Sequence, residues 1–367
     1  MKSKILSLAM LFVMLISGMQ TAFAQDKKVY TLSLQDAINM ALEKDPAFMS
    51  ADVKITDAER QLKQARKNHK DMQGIPIRIS QGISAFGVQR GYYVKQAEIG
   101  VESAKREKEQ SIANSAYSLT EQYYGVKLSE RVLESAKTAL KMAEDNLSNL
   151  EMQFSLGLVA ENDVHNARLS LRRAEASCNQ FDRNLKLAKN ALAVSLYIED
   201  EEFELVLTDD IEYEEFTTDL AGDTKNAMKT RYDVYMLESA LSQAQFLFDI
   251  SDLYGTTSAE YSSARASMIQ SEVTNKYSKK MIGISINSSY NAILDAKDSL
   301  LISEDNLLLK QKEYNVAKIQ YDLGLITNTQ LTAIMNNVTT AQTELDNAKL
   351  KYKLAVIKYG YEITVGL

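Results

Sequence analysis

His69, His165 and Cys178 are the residues of this sequence best equipped for chemistry, and their placement argues against it. The two histidines stand far apart in the chain, without cysteine or acid partner sets at ligand spacing. Each reads as an ordinary surface or interface histidine. A lone cysteine excludes an intramolecular disulfide framework, and Cys178 falls where a small apolar filler is expected. There is no phosphate-binding glycine loop, no dinucleotide fingerprint and no nucleophile elbow. The sequence points to no enzyme, no bound metal and no cofactor.

What does recur is a turn. FSLGLVAENDV (residues 154–164) returns as YDLGLITNTQL (residues 321–331), 167 positions on. Gly157 and Gly324 are free to take the left-handed conformation that ends a helix, with Leu158 and Leu325 next to fold back on it. Thr327 and Gln330 have the spacing of a capping box that opens the following helix. The first copy has Ala160 at that position, a poorer start, with Asn162 or Asp163 as substitutes. Leu156, Leu158, Leu323 and Leu325 have two readings: packing under their own turns, or standing exposed at a hairpin tip.

The elements that hold these turns are long helices. Val164, Ala167, Leu171, Ala174, Cys178, Phe181, Leu185, Ala188 and Leu192 alternate in steps of three and four. Leu331, Ile334, Val338, Ala341, Leu345, Ala348, Tyr352, Ala355 and Tyr359 repeat them. Before the turns, Val126, Leu133, Leu140, Leu147 and Phe154 keep the same rhythm, as do Ile293, Leu300, Leu307, Tyr314 and Tyr321. This period of 3.5 joins antiparallel helices as left-handed coiled coils. A second stripe, Leu187, Ala191 and Val194, then Leu354, Ile357 and Tyr361, gives these helices neighbours on a second side. It fits a curved wall of helices, or the wider core of an ordinary bundle.

The repeat extends backward with a shift. Residues 45–48 align with residues 231–234 at an offset of 186. Asp45 caps and Pro46 takes the first helical position, and Ser33 with Asp36 starts a shorter helix before it. The stretches 49–66 and 235–249 are then helical. A first helix from about Val94 to Phe154 spans roughly 90 Å. Between the halves, residues 199–222 form an acidic surface connector with a strand-like core at residues 203–207. Residues 1–24 read as a secretory signal peptide: Lys2 and Lys4, an apolar run, then Ala22-Phe23-Ala24 before Gln25. The formal net charge is −7, and removing that leader makes it more negative by two lysines, a poor match for nucleic acid. The domain plan is thus 1–24, a first repeat at 25–198, the connector at 199–222 and a second repeat at 223–367.

These residues resemble the outer-membrane efflux protein (TolC) family over essentially the whole mature chain. The likeness is carried by Leu32-Ser33-Leu34-Gln35-Asp36-Ala37, by Asp45-Pro46, by Gly157-Leu158-Val159-Ala160 with Asp163-Val164 and Asn166-Ala167-Arg168, and by Tyr321-Asp322-Leu323-Gly324-Leu325. The resemblance implies an all-α protomer of two tandem coiled-coil hairpin repeats, with at most a short residual β segment. It implies a homotrimer forming a hollow α-barrel in the periplasm, associated with the outer membrane. It also implies tips, at Leu156, Gly157, Leu158, Leu323, Gly324 and Leu325, that meet a periplasmic adaptor working with an inner-membrane transporter.

Two departures stand out. Members of that family insert two membrane-spanning strands in each half, and a spanning strand takes about 9 to 11 residues. Here residues 74–93 alone offer room, with brief alternation at Ile75, Ile77 and Ile79. The offset then falls from 186 to 167, so the second half lacks 19 residues at this place. Members also commonly set acidic side chains on the helix after the second tip, where this sequence has Gln330 and Ala333. A charged constriction then falls to Asp163 or Asp322. The expected role is a passive export duct of a tripartite pump or type I secretion system. The rival is an envelope-associated coiled-coil scaffold or adaptor of the same descent that lacks a membrane-spanning barrel.

Overall fold

The structure is a computed structural model describing residues 28–78, 82–200 and 202–366; the expected leader, Ile79 of the alternating stretch, Glu201 and Leu367 lie outside these. The chain runs β1 (Lys28–Leu32), α1 (Leu34–Lys44), α2 (Pro46–Met72), α3 (Gly82–Gln89), α4 (Tyr92–Ser155), α5 (Glu161–Ser195), β2 (Phe203–Leu207), α6 (Leu220–Thr230), α7 (Tyr232–Ser251), α8 (Ala259–Asp322) and α9 (Asn328–Thr364). It is an all-α protein with one two-stranded sheet among the described residues.

Local chemistry sets the helix starts. Ser33 Oγ accepts from the Asp36 amide at 3.1 Å while the Asp36 carboxylate accepts from the Ser33 amide at 3.2 Å, a reciprocal box opening α1. Those hydrogen bonds hold the Asp36 carboxyl below the usual carboxylate range. Asp45 Oδ1 accepts from the Ala47 amide at 2.8 Å, and Pro46 begins α2.

Helices α4 and α8 are each 64 residues long, about 95 Å at the α-helical rise. Each folds back at its tip, α4 against α5 and α8 against α9. The expected seam is the core: Val126, Leu133, Val164, Ala167 and Leu192 are buried in the first unit, and Ile293, Leu300, Leu307, Leu331, Leu345 and Tyr352 in the second. Ile282 and Ile286 are buried on α8 while Ile284 is exposed, which is helical spacing and not strand alternation.

Contacts between elements order the helices laterally. Toward the tips the sequence across the wall is α5, α4, α9, α8; toward the other end it is α2, α4, α7, α8. The two long helices run through both halves, and the molecule is a strip one helix thick and four wide. It is the curved-wall reading of the second stripe. In the second unit Leu354 and Ile357 are half-buried, but in the first Leu187 and Val194 lie exposed at the strip's edge.

The 19-residue difference between the repeats has a definite location. The first unit passes from α2 to α4 through α3, a helix that the sequence reading did not foresee. The second passes from α7 to α8 through one 3-10 turn, Asp252–Tyr254. Residues 75–78 form no strand despite their alternation. His69 stitches this junction, its Nδ1 2.9 Å from the Val88 carbonyl oxygen and its Nε2 3.2 Å from Gln73 Nε2.

The acidic connector is only partly a surface segment. Its strand β2 pairs parallel with β1, Lys28 opposite Phe203 through Leu32 opposite Leu207. Leu205, Leu207 and Ile211 are buried against Leu119, Tyr123 and Leu192. The Tyr123 hydroxyl donates to the Leu32 carbonyl at 2.9 Å and accepts from the Asp209 amide at 3.0 Å, tying the sheet to α4. Burial raises the Tyr123 pKa, so it stays a phenol that can donate.

Arg231, between α6 and α7, is buried with Glu362 near the end of α9. Its guanidinium donates to the Glu362 carboxylate at 2.8 Å and to the Glu362 carbonyl at 2.6 Å; Ser285 of α8 donates to the same carboxylate at 2.7 Å. Asp233 also accepts from this guanidinium, at 2.7 Å, so Arg231 keeps an acid partner without Glu362, whereas Glu362 pairs with no other cation among the described residues. Arg231→Met should therefore lower unfolding free energy by about 3 kcal/mol, and Glu362→Leu by less. Urea denaturation followed by circular dichroism measures this, and the double variant should recover part of the loss.

Candidate functional site

The paired tips close in the same way. Gly157 has φ +72° and Gly324 φ +74°, a conformation glycine takes without a Cβ penalty. The Leu158 amide donates to the Gln153 carbonyl at 2.9 Å, and the Leu325 amide to the Gln320 carbonyl at 2.8 Å. These are 6→1 bonds that satisfy the last carbonyls of the helix. Beyond them Thr327 and Gln330 complete their box, Thr327 Oγ1 accepting from the Gln330 amide at 3.2 Å and Gln330 Oε1 from the Thr327 amide at 2.8 Å. In the first copy Ala160 has no side-chain acceptor, and half a box remains: Asp163 Oδ2 accepts from the Ala160 amide at 3.1 Å.

The tip leucines stand out from these turns. Leu156 is 67% exposed, Leu158 70%, Leu323 69% and Leu325 70%. Val159 and Ile326, one position further on, are the half-buried residues at each turn. With Met152 and Phe154 on one hairpin, and Val316 and Ile319 on the other, the leucines form exposed apolar ends. Neither proposed constriction acid is buried: Asp163 is occupied with the start of α5, and Asp322 ends α8 with its side chain in solvent. No contact brings the two together. Gln330 is taken up by its cap, and Ala333 faces the groove described next.

A groove of about 800 Å³ lies between the hairpins, lined by Ala139 and Ala143 of α4, Ala174 of α5, and Thr332, Ala333 and Asn336 of α9. Above it the units are fastened by ionic and polar bonds. Arg131 of α4 reaches Asp346 of α9 at 2.5 Å and also binds Asp210 of the connector. Lys353 donates to the Tyr124 hydroxyl at 2.6 Å. The hydrophobic period did not reveal these fastenings, because charged residues between seam positions look like ordinary surface. Among the described residues no group of histidine, cysteine and acid side chains could hold a metal. No described helix is long and apolar enough to cross a membrane.

No protein-family model matches the chain, and no curated protein matches it in sequence. Solved structures do match. The Campylobacter jejuni CmeC outer membrane channel superimposes with a TM-score of 0.69 at 13% identity, covering 91% of this chain and 86% of that one. The open-state MtrE outer membrane channel of Neisseria gonorrhoeae gives 0.69 at 13% identity, covering 91% and 89%. The outer membrane protein VceC of Vibrio cholerae gives 0.65 at 14% identity, covering 91% and 97%. This chain has the fold of these outer membrane channels. Within that fold it carries α3 between α2 and α4, and a 3-10 turn between α7 and α8.

The exposure of the tip leucines separates them from their glycines. Leu158→Asp with Leu325→Asp should change unfolding free energy by no more than about 0.5 kcal/mol. Gly157→Val with Gly324→Val should cost about 1–3 kcal/mol per site, although a Cβ at either meets no atom within 4 Å. Thermal melts of the two double variants provide the comparison.

Proposed function

We propose that this chain is the subunit of a passive export duct, a homotrimer whose tips dock a periplasmic adaptor served by an inner-membrane transporter. The observation that carries this reading is the strip itself, which has two open long edges and two matching apolar tips at one end. Solved structures with the same fold are described as outer membrane channels, and that description supports an outer-membrane or periplasmic location here.

The internal repeat supplies the geometry of closure. Inside the chain, α7 and α9 of the second unit pack on α4 of the first. The corresponding partners for α8 are α2 and α5 of another copy. Arg106 on α4 stacks over the Tyr235 ring at 5.2 Å; the repeat maps this pair to Val273 and Met49, both exposed. Tyr117 and Leu354 line one groove; they map to Ile284 and Leu187, also exposed. The cationic pair inside the chain thus becomes an apolar pair between copies, and the second pair stays apolar. A heterologous joint of this kind closes into a ring of three when each step turns the chain by a third of a revolution.

A second reading, an envelope scaffold of the same descent, draws on one observation. Short helical connections occupy the end of the strip where the family inserts its spanning strands. Adaptor-dependent export distinguishes the two, because a scaffold carries no cargo.

In a Cys178→Ser background, Met49→Cys with Val273→Cys should cross-link on oxidation into species of up to three chains, and either cysteine alone should stop at dimers. A well-folded monomer in light scattering would sink the duct. The Leu158→Asp, Leu325→Asp variant should keep its trimer and lose adaptor capture and export. Wild-type export by that variant would remove the tips as the docking surface.

A further inference from the structure

The end opposite the tips has its own composition. Residues 60–95 hold eight lysines and arginines and a single acid, Asp71, in a chain of net charge −7. The matching turn of the second unit, residues 246–264, has three acids and no base. The basic excess therefore belongs to the α2–α3–α4 junction alone. Lys63, Lys67, Lys70, Arg90 and Lys95 are exposed there, and none makes an ion pair among the described residues.

These cations form a collar behind an apolar point. Lys63 lies nine residues before Met72, the last residue of α2, so all three α2 lysines sit within roughly 15 Å of its end. Ahead of them are Ile75, 44% exposed, and Pro76, also exposed. At the same end of the strip are Leu253 of the second unit, 39% exposed, and Tyr93, 38% exposed. Tyr92 meets Tyr93 edge-on and Phe246 at a tilt, at centroid distances of 5.3 and 5.4 Å, and makes an aromatic base. Apolar side chains in front, amphipathic rings behind them and lysines around the rim are the parts of an interfacial anchor.

We propose that this end binds the surface of a bilayer rich in anionic phospholipid, with Ile75, Pro76 and Leu253 entering the headgroup layer and the lysine collar meeting the phosphates. A soluble polyanion would use the collar but has no use for the apolar point, whereas an uncharged surface would use the point alone. The anchor goes beyond the duct reading, since it is a surface contact and not a span. It rests on that reading only for which end of the strip faces the membrane.

The test is co-sedimentation of the exported chain with vesicles of phosphatidylcholine, with and without one-third phosphatidylglycerol. Binding is expected to the anionic vesicles only. Lys63→Gln, Lys67→Gln, Lys70→Gln and Lys95→Gln together should weaken it at least tenfold, given about a few-fold per surface lysine. Lys137→Gln with Lys141→Gln, further toward the tips on α4, should leave it unchanged. Ile75→Ser with Leu253→Ser should keep low-salt binding and lose the part that survives high salt. The proposal is overturned if the quadruple variant binds like wild type, if neutral vesicles bind equally, or if wild type shows no salt-resistant part. A monomer that binds in the expected way keeps the anchor and sinks the duct; a trimer that ignores both vesicles does the reverse.

Discussion

Everything in this molecule hangs on two long helices having more neighbours than a simple hairpin provides. An antiparallel pair needs one apolar seam, and α4 meets α5 along such a seam for most of its tip half. The same helix also carries α9 on its other flank, and α2 and α7 toward its opposite end. Ridge-and-groove packing on two flanks widens the apolar arc, and where no neighbour is present that arc is left wet. On α8 the result is a file of exposed Val273, Tyr277, Met281, Ile284 and Ile302. A chain of modest hydrophobicity keeps these residues in water only at a cost in solubility, which is a physical reason to expect them covered.

The fastenings between the two units differ in kind from the seams inside them. Seams are alanine- and leucine-filled and non-directional. The joint between units adds Arg131 with Asp346 and Asp210, and Lys353 with Tyr124. Apolar packing allows sliding by a heptad, but an arginine between two carboxylates specifies one register. The two hairpins are thereby held level, and their tips stay side by side.

Period and turn chemistry made much of this legible from sequence. The steps of three and four marked the seams of the two tip hairpins, and Gly157, Gly324, Thr327 and Asp45 marked boundaries correct to within a few residues. What escaped lacked a repeating signal. Helix α3 has eight residues, too few for a period to emerge, and its neighbours Ile75 and Ile77 imitate a strand. Strand β1 lies 175 positions from its partner β2, and a lone pair of five-residue strands leaves no pattern that links them. The connector's charge concealed Leu205, Leu207 and Ile211, because acids on the outer face outnumber the buried residues between them. Leucine exposure at the tips needed coordinates, since a fold-back leucine and a solvated one share the same sequence.

The unequal lengths of the two repeats have a consequence for valency. At the glycine turns the chain is nearly twofold, offering two handles of the same shape, so a partner with a single binding surface can attach to one chain twice. Where α3 lies the twofold likeness is broken, and each chain offers one handle. A ligand bridging both ends would thus face unlike counts, two against one, whatever the number of chains. Linked pairs of weak contacts gain from effective concentration, so the doubled end can hold a partner through individually feeble leucine contacts. The single end has no such help within one chain, and any pairing of grips there must come from a second copy.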